Sequence, residues 1–413
     1  MDDGTPRPGR QSLRALDALN VFLADVRDGL GPYLAIYLTT RHWDPSRIGV
    51  AMSAMGVAAV IAQTPAGALI DRTTRKRSWI IAAAALVAMG AVAMVRAPTF
   101  PVILAAQATV GAASAIFAPA IAAISLGLVG RARLSRRAGR NEAFNHAGNV
   151  AAAILAGLIG DHIAYEGIFY LIAAMSAGSI ASALLIRRDE VDDELARGGD
   201  HDPGSDAPRA VAIGELFRDR RVATFAASIV LFHFANAAML PLVGQKMTVG
   251  MTGGVAGYMS ACIIAAQLVM IPVALAASRL ADRWGRRPTF LIGFAVLPVR
   301  GALYTLTDDP RWLVAIQLLD GIGAGIFGVV GVLVVADLTR GTGRFNLMQG
   351  ALATATGLGA SASQLLTGVI VSRSGFDAGF LALSAIAAAA LAFFGLAMPE
   401  TRPEGEGPAG RAT

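Results

Sequence analysis

Cysteine is almost missing from this chain: Cys262 stands alone inside an apolar run, so no intrachain disulfide braces the fold, and a thiol in such surroundings is inert. Charge is also scarce, at 15% of residues where an ordinary soluble domain carries about 25%. The histidines, His42, His146, His162, His201 and His233, have no metal-ligand spacing, so no metal site is expected. Gly-Lys-Ser and Gly-Lys-Thr loops are lacking, which argues against nucleotide-driven work. GRNEAFN and GTGRFN place glycine beside arginine, but they open helices instead of following strands, which removes a dinucleotide fold. No nucleophile and base fall in register, so an enzyme is not expected, and neither is a cofactor. The opening MDDGTPRPGR is polar and lacks the apolar core of a signal peptide, so the first helix is expected to be retained.

What the chain does have is apolar length. Hydrophobic residues make up 55%, and segments of about 20 such residues recur between short charged stretches. That is the pattern of spanning helices, because lipid offers a backbone polar group no outside partner. The expected fold is an all-α polytopic membrane protein with twelve spans, at 14–38, 46–70, 78–96, 99–127, 143–162, 165–186, 222–243, 254–276, 288–306, 311–336, 345–371 and 375–397. The 46 glycines and abundant alanine suit close helix packing. The net charge of +6 sits in short tracts between apolar runs, such as Arg72, Arg75, Lys76, Arg77 and Arg131, Arg133, Arg136, Arg137, Arg140. Such tracts follow the positive-inside rule instead of forming a nucleic-acid surface, and they put both termini in the cytoplasm of a multi-pass inner-membrane protein.

The charged, Gly/Pro-containing segment 187–221 reads as a cytoplasmic linker between a six-helix half at 14–186 and another at 222–397, with tails at 1–13 and 398–413. An internal repeat supports the division. Gly67-Ala-Leu-Ile-Asp71-Arg72 and its basic tail recur as Ser278-Arg-Leu-Ala-Asp282-Arg283, and Gln107 with Gly111 recurs at nearly the same offset as Gln317 with Gly321. Two similarly built halves imply a solute path between them.

The first of those repeats, GALIDRTTRKR, resembles the loop motif of the major facilitator superfamily of secondary transporters, and LADRWGRR is its weaker counterpart. The similarity covers residues 14–397. It implies that fold, with proton- or ion-coupled transport of a small-molecule substrate by alternating access, in a monomer surrounded by lipid. The sequence departs from the family pattern at Thr74, where a second glycine is usual. Gln107 stands where many proton-coupled exporters have arginine, and Gly148-Asn149 replaces the Gly-Pro of drug antiporters. Those changes weaken a broad drug/proton antiporter reading. The motif assigns a cytoplasmic gate to Gly67, Asp71, Arg72 and Arg75, with Asp282, Arg283 and Arg286 as second-half equivalents, in which the carboxylates pair with neighbouring guanidinium groups. Lys76, Arg77 and Arg287 have no acid in the motif and are expected to fix topology.

Ionisable groups deep in hydrocarbon are costly and must face a cavity or each other. In the first helix Asp25 and Asp28 lie on one side, with Asn20 a little earlier, and desolvation suits either carboxylate for proton coupling. Gly29, Gly31 and Pro32 mark a bend there. Asn145 and Asn149 share a face of the fifth helix; His233 and Asn236 lie on the seventh and Gln267 on the eighth. Their amides and imidazole suit an oxygen- or nitrogen-rich solute. Arg300 lies roughly 18 Å into the ninth helix and Asp320 roughly 14 Å into the tenth, which runs the other way, so their depths match. A pair there would be either an electrostatic scaffold or a switch in which protonation of Asp320, the third coupling candidate, frees Arg300.

These residues favour a proton-coupled exporter of a small polar metabolite or toxic compound. The alternatives are a proton-coupled importer, since alternating access is reversible, an exporter of a divalent metal or its chelate, and a non-transporting membrane sensor.

Overall fold

Glycine, proline and short acidic caps set where this chain stops and starts being helical. The structure is a computed structural model describing residues 9–28, 31–193, 195–197, 218–339 and 345–402; the side chains of Asp25, Arg27, Asp28, Thr64 and Asp71, and those at 131–132, 135–136 and 345–347, lie outside that description. In chain order the helices are α1 (Arg10–Asp28), α2 (Gly31–Thr40), α3 (Pro45–Arg72), α4 (Lys76–Arg96), α5 (Phe100–Ser114), α6 (Phe117–His162) and α7 (Tyr165–Leu185). After them come α8 (Arg220–Asn236), α9 (Met239–Gly250), α10 (Val255–Trp284), α11 (Arg286–Leu303), α12 (Pro310–Leu338) and α13 (Phe345–Ala397). No strand occurs among the described residues.

Local chemistry explains the boundaries. Asp219 and Asp309 each accept a hydrogen bond from the backbone N–H two residues on, at 2.8 and 2.9 Å, starting α8 and α12, and Asp44 does the same for α3 at 2.8 Å. The α6 and α13 helices are each interrupted by one glycine at positive φ, Gly130 (69°) and Gly375 (84°), a backbone conformation that costs other residues more. Of the bend expected at Gly29, Gly31 and Pro32, Gly29 lies outside the described residues, and Gly31, where α2 begins, has a φ of +34°.

Nine helical segments among the described residues are long and apolar enough to cross a membrane, the last of them running through Gly375. The chain forms two compact units. The first holds 1–37 and 54–205, the second 38–53 and 206–413. Residues 38–53 are fastened within the second unit, where Ser372 Oγ donates to Asp44 at 2.9 Å and Gly49 and Gly368 cross closely.

Each unit contains the same two close crossings. In the first, a Cβ on Gly111 would lie 2.0 Å from the Met55 carbonyl oxygen and one on Gly148 2.3 Å from that of Val21. In the second, a Cβ on Gly321 would lie 2.4 Å from Ala266 O and one on Gly359 2.3 Å from Val230 O. Backbones at that separation leave no room for a side chain, so the repeat extends to which helices touch and where. The second unit adds an aromatic core: Phe294 and Phe394 stack at 4.7 Å, Phe232 and Phe327 at 5.1 Å, and Phe290 meets Phe394 edge-on at 5.4 Å.

The segments after the last helix of each unit are docked as far as they are described. Asp192 N donates to Gly127 O at 3.0 Å, Gly9 N to Glu190 at 2.9 Å, and Arg187 N to Ser12 Oγ at 3.1 Å. In the second unit Met398 is buried and Glu400 is held by backbone donors.

Candidate functional site

Deep in the second unit, α11 and α12 bring Arg300 and Asp320 together as an ion pair. Arg300 is 1% exposed, whereas the Asp320 side chain is 21% exposed. Gln317, one turn before Asp320 on α12, donates to the second carboxylate oxygen at 2.9 Å, and the Tyr304 hydroxyl donates to the Gln317 carbonyl. The Arg300 guanidinium also lies over the Tyr304 ring, 5.9 Å from its centre. Arg300 Nε, buried, has no partner. The result is a chain of directed hydrogen bonds, from Tyr304 to Gln317 to Asp320, that ends on a carboxylate more exposed than its guanidinium partner.

Other polar groups of this unit are buried without partners. They include His233 Nε2 and Asn236 Oδ1 on α8, Gln245 Oε1 on α9 and Gln267 Oε1 on α10. Buried polar atoms are nearly always satisfied, so such atoms are candidates for a solute or water contact. Phe327 meets the His233 ring edge-on at 4.7 Å.

The first unit carries a different network. Asp17 on α1 accepts from Arg137 at 2.5 Å and from Arg140 at 2.7 Å, both on α6. Arg137 Nε then donates to Asn141 at 2.7 Å, Asn141 to Ser125 Oγ at 2.9 Å, and Asn20 to both Asn141 (3.2 Å) and Leu16 O (2.8 Å). Asp17, Asn20, Ser125, Arg137 and Asn141 are all buried. Asn20, read from sequence as a pathway residue, here joins α1 to α6. Asp17, Arg137 and Asn141 went unrecognised in the sequence, although Asp17 is one turn before Asn20 and Arg137 one turn before Asn141. Asn145 and Asn149 are half-buried, with a long hydrogen bond of 3.4 Å between them. His146 Nδ1 is buried without a partner. Asp25, Asp28 and Asp71 lie in helices, but their side chains are outside the described residues.

The repeated loops are built unequally. In the second unit Arg286 is 5% exposed and donates to Asp282 at 2.9 Å, to Ala281 O at 3.0 Å and to Asp337 at 3.2 Å. Asp337, on α12, was not foreseen. Arg283 lends its backbone carbonyl to Arg402, at 3.3 Å. In the first unit the buried cation at the matching first helical position is Lys76, 2% exposed, which donates to Thr73 O and Asp193, each at 3.0 Å. Arg72 and Arg75 are exposed. A Cβ on Gly67 would meet nothing within 4 Å, so close packing does not require glycine there.

Long apolar helices carrying a few internally paired charges define a polytopic membrane protein. The Major Facilitator Superfamily model matches residues 17–274 and 248–413, and the chain belongs to that family of transporters. An uncharacterised MFS-type transporter of Mycobacterium tuberculosis is 52% identical over 389 residues, covering 94% of this chain and 93% of its own length. Multidrug resistance protein 1 of Bacillus subtilis is 29% identical over 166 residues, 40% of this chain and 41% of that protein. Among solved structures, a mutant of the nucleoside transporter NupG aligns with a TM-score of 0.77 at 16% identity, over 92% of this chain and 98% of its own, which is a likeness of fold. The protein is therefore a membrane transporter of small molecules and not an enzyme.

Proposed function

We propose that this chain is a proton-coupled exporter of a small polar organic compound, working by alternating access in the inner membrane with both termini in the cytoplasm. Twelve spans follow if the last apolar segment is two helices divided at Gly375 and if α1 with α2, and α11, also cross. Those two are less apolar because they carry Asp17, Asp25, Arg27 and Asp28 in one case and Arg286, Arg287 and Arg300 in the other.

The Arg300, Asp320, Gln317 and Tyr304 cluster carries the proposal. Protonating Asp320 leaves Arg300 buried and unpaired, a state that costs several kcal/mol and favours any arrangement in which the guanidinium finds another anion or water. A proton thereby becomes a choice between conformations, which is what coupling requires. Export is supported by the partial likeness to a multidrug resistance protein. Unpartnered amide and imidazole atoms on α8, α9 and α10 favour a hydrophilic cargo over a greasy cation.

The test is pH-sensitive fluorescence inside proteoliposomes challenged with a panel of metabolites, dyes and metal salts. Solute-dependent proton movement that persists in Ser278→Gly and disappears in Asp320→Asn is the expected result. Equal proton flux in the two variants would remove Asp320 from coupling, and solute flux without proton movement would point to uniport or another ion.

A further inference from the structure

The matching helices of the two units, α4 and α11, both follow the repeated basic loop but start on different backbones, with Arg75 at φ −102° before α4 and Gly285 at φ +109° before α11. At the start of α11 the carboxylate of Glu400 accepts from Arg286 N at 2.8 Å and Arg287 N at 3.1 Å. It lies so close over Gly285 that a Cβ there would come within 2.3 Å of Oε2. An anion is therefore built into this helix start, where the first N–H groups and the helix dipole favour negative charge.

At the start of α4 the N-cap position is Arg75, which makes no side-chain cap hydrogen bond. The glutamate at the matching place after the unit's last helix, Glu190, is turned instead to Gly9 N and Arg187. What lies beside α4 is a cavity of about 220 Å³, lined by Arg75, Lys76, Arg77, Arg187 and Arg188 and by one carboxylate, Asp193. Asp193 is neutralised by Lys76 at 3.0 Å, and Arg187 by Asp189 at 2.7 Å. Arg75, Arg77 and Arg188 have no carboxylate partner among the described residues; Arg77 spends Nη1 on the carbonyls of Leu184 and Ile186 while its buried Nε has no partner, and Arg188 donates to Ser78. Ile124, Ile186 and Val191 supply an apolar wall.

We propose that this cavity binds a phosphate group, which takes at α4 the place that the Glu400 carboxylate takes at α11. Arg75, Arg77 and Arg188 supply fork-shaped donors suited to phosphate oxygens, and the helix start supplies backbone N–H groups. The apolar wall and Trp79, one turn into α4 and of the ring type enriched at membrane boundaries, favour an anionic phospholipid headgroup as the source. The site is independent of the transport reading and of Asp320.

Thermal unfolding of the full chain in detergent tests it, with dioctanoyl-phosphatidylglycerol, dioctanoyl-phosphatidylcholine and inorganic phosphate added separately. Phosphatidylglycerol should raise Tm by several degrees in the natural protein and by less than a third as much in Arg77→Gln/Arg188→Gln, while Arg77→Lys/Arg188→Lys keeps most of the shift. Phosphatidylcholine should have little effect in any of them. Stabilisation by inorganic phosphate alone, lost in the Gln variant, supports the same site with a soluble source. Equal shifts in the natural protein and the Gln variant, or no shift with either anion, overturn the proposal. If the Gln variant does not fold, native mass spectrometry of the Lys variant replaces it: retention of phosphatidylglycerol no greater than of phosphatidylcholine overturns it equally.

Discussion

The two halves of this transporter share their helix crossings but not their electrostatics. The first unit spreads its buried charge along a chain that begins at Asp17, passes through Arg137 and ends on the neutral groups of Asn141, Asn20 and Ser125. Apart from the Arg286 cluster at the start of α11, the second unit places its buried charge in an Arg300 and Asp320 contact braced by Gln317 and Tyr304. Asp17 holds two guanidinium groups: Arg140, 58% exposed, can reach water, and Arg137, 5% exposed, keeps a second acceptor in Asn141. Asp320 holds one guanidinium with no such exit. A fastening and a trigger can be made from the same residue types, and the difference lies in whether the cation has an alternative to its partner.

Breaking the trigger should have the largest effect. Asp320→Asn is expected to abolish proton-linked transport and to cost about 3–5 kcal/mol by leaving Arg300 uncompensated. Thermal unfolding and liposome flux check both, and Arg300→Gln added to Asp320→Asn should recover stability without recovering coupling. Next, Asp17→Asn should cost about 2 kcal/mol while leaving the pH profile of the remaining transport unchanged, because screening by water softens the loss. A shifted profile would show that the first unit takes part in coupling.

The shared crossings predict a smaller pair of effects. Gly111→Ala and Gly321→Ala should each cost about 1–3 kcal/mol, since the added methyl meets a backbone carbonyl, whereas Gly67→Ala should be within about 0.5 kcal/mol of the natural protein. The smallest effect belongs to the cap. Burial alone would push the Glu400 carboxyl up, but backbone N–H donors from Arg402, Arg286, Arg287 and Thr401 outweigh it and hold it below the ordinary glutamate value. A carboxyl lowered on folding stabilises fully above its unfolded pKa and loses that contribution as pH falls through its folded value. Glu400→Gln should therefore cost no more than about 0.5 kcal/mol at neutral pH, because water screens this exposed carboxylate, and its unfolding curve should converge with that of the natural protein on acidification.

The sequence exposed what lipid enforces. Apolar length marked most spans, and matching depth along antiparallel helices was enough to make Arg300 and Asp320 candidate partners. The positive φ of Gly31 was legible from the run of Gly29, Gly31 and Pro32. Interactions that use ordinary loop chemistry were not legible. Arg137 lay in a tract that reads as a topology signal, Lys76 lacked an acid within its motif because Asp193 lies in the linker, and Glu400 sat in a tail whose backbone contacts leave no compositional trace. Whether Asn236 and Gln267 have partners depends on neighbouring helices, which no single-helix pattern reports.

Cys262, fully buried in α10, is the only thiol in the chain. The natural protein is therefore already a single-thiol background shielded from aqueous reagents. A cysteine placed at any exposed position, for example on the loops before α4 and α11, would be the one group a spin label or fluorophore reaches, so movements of either half can be followed without first stripping and restabilising the molecule.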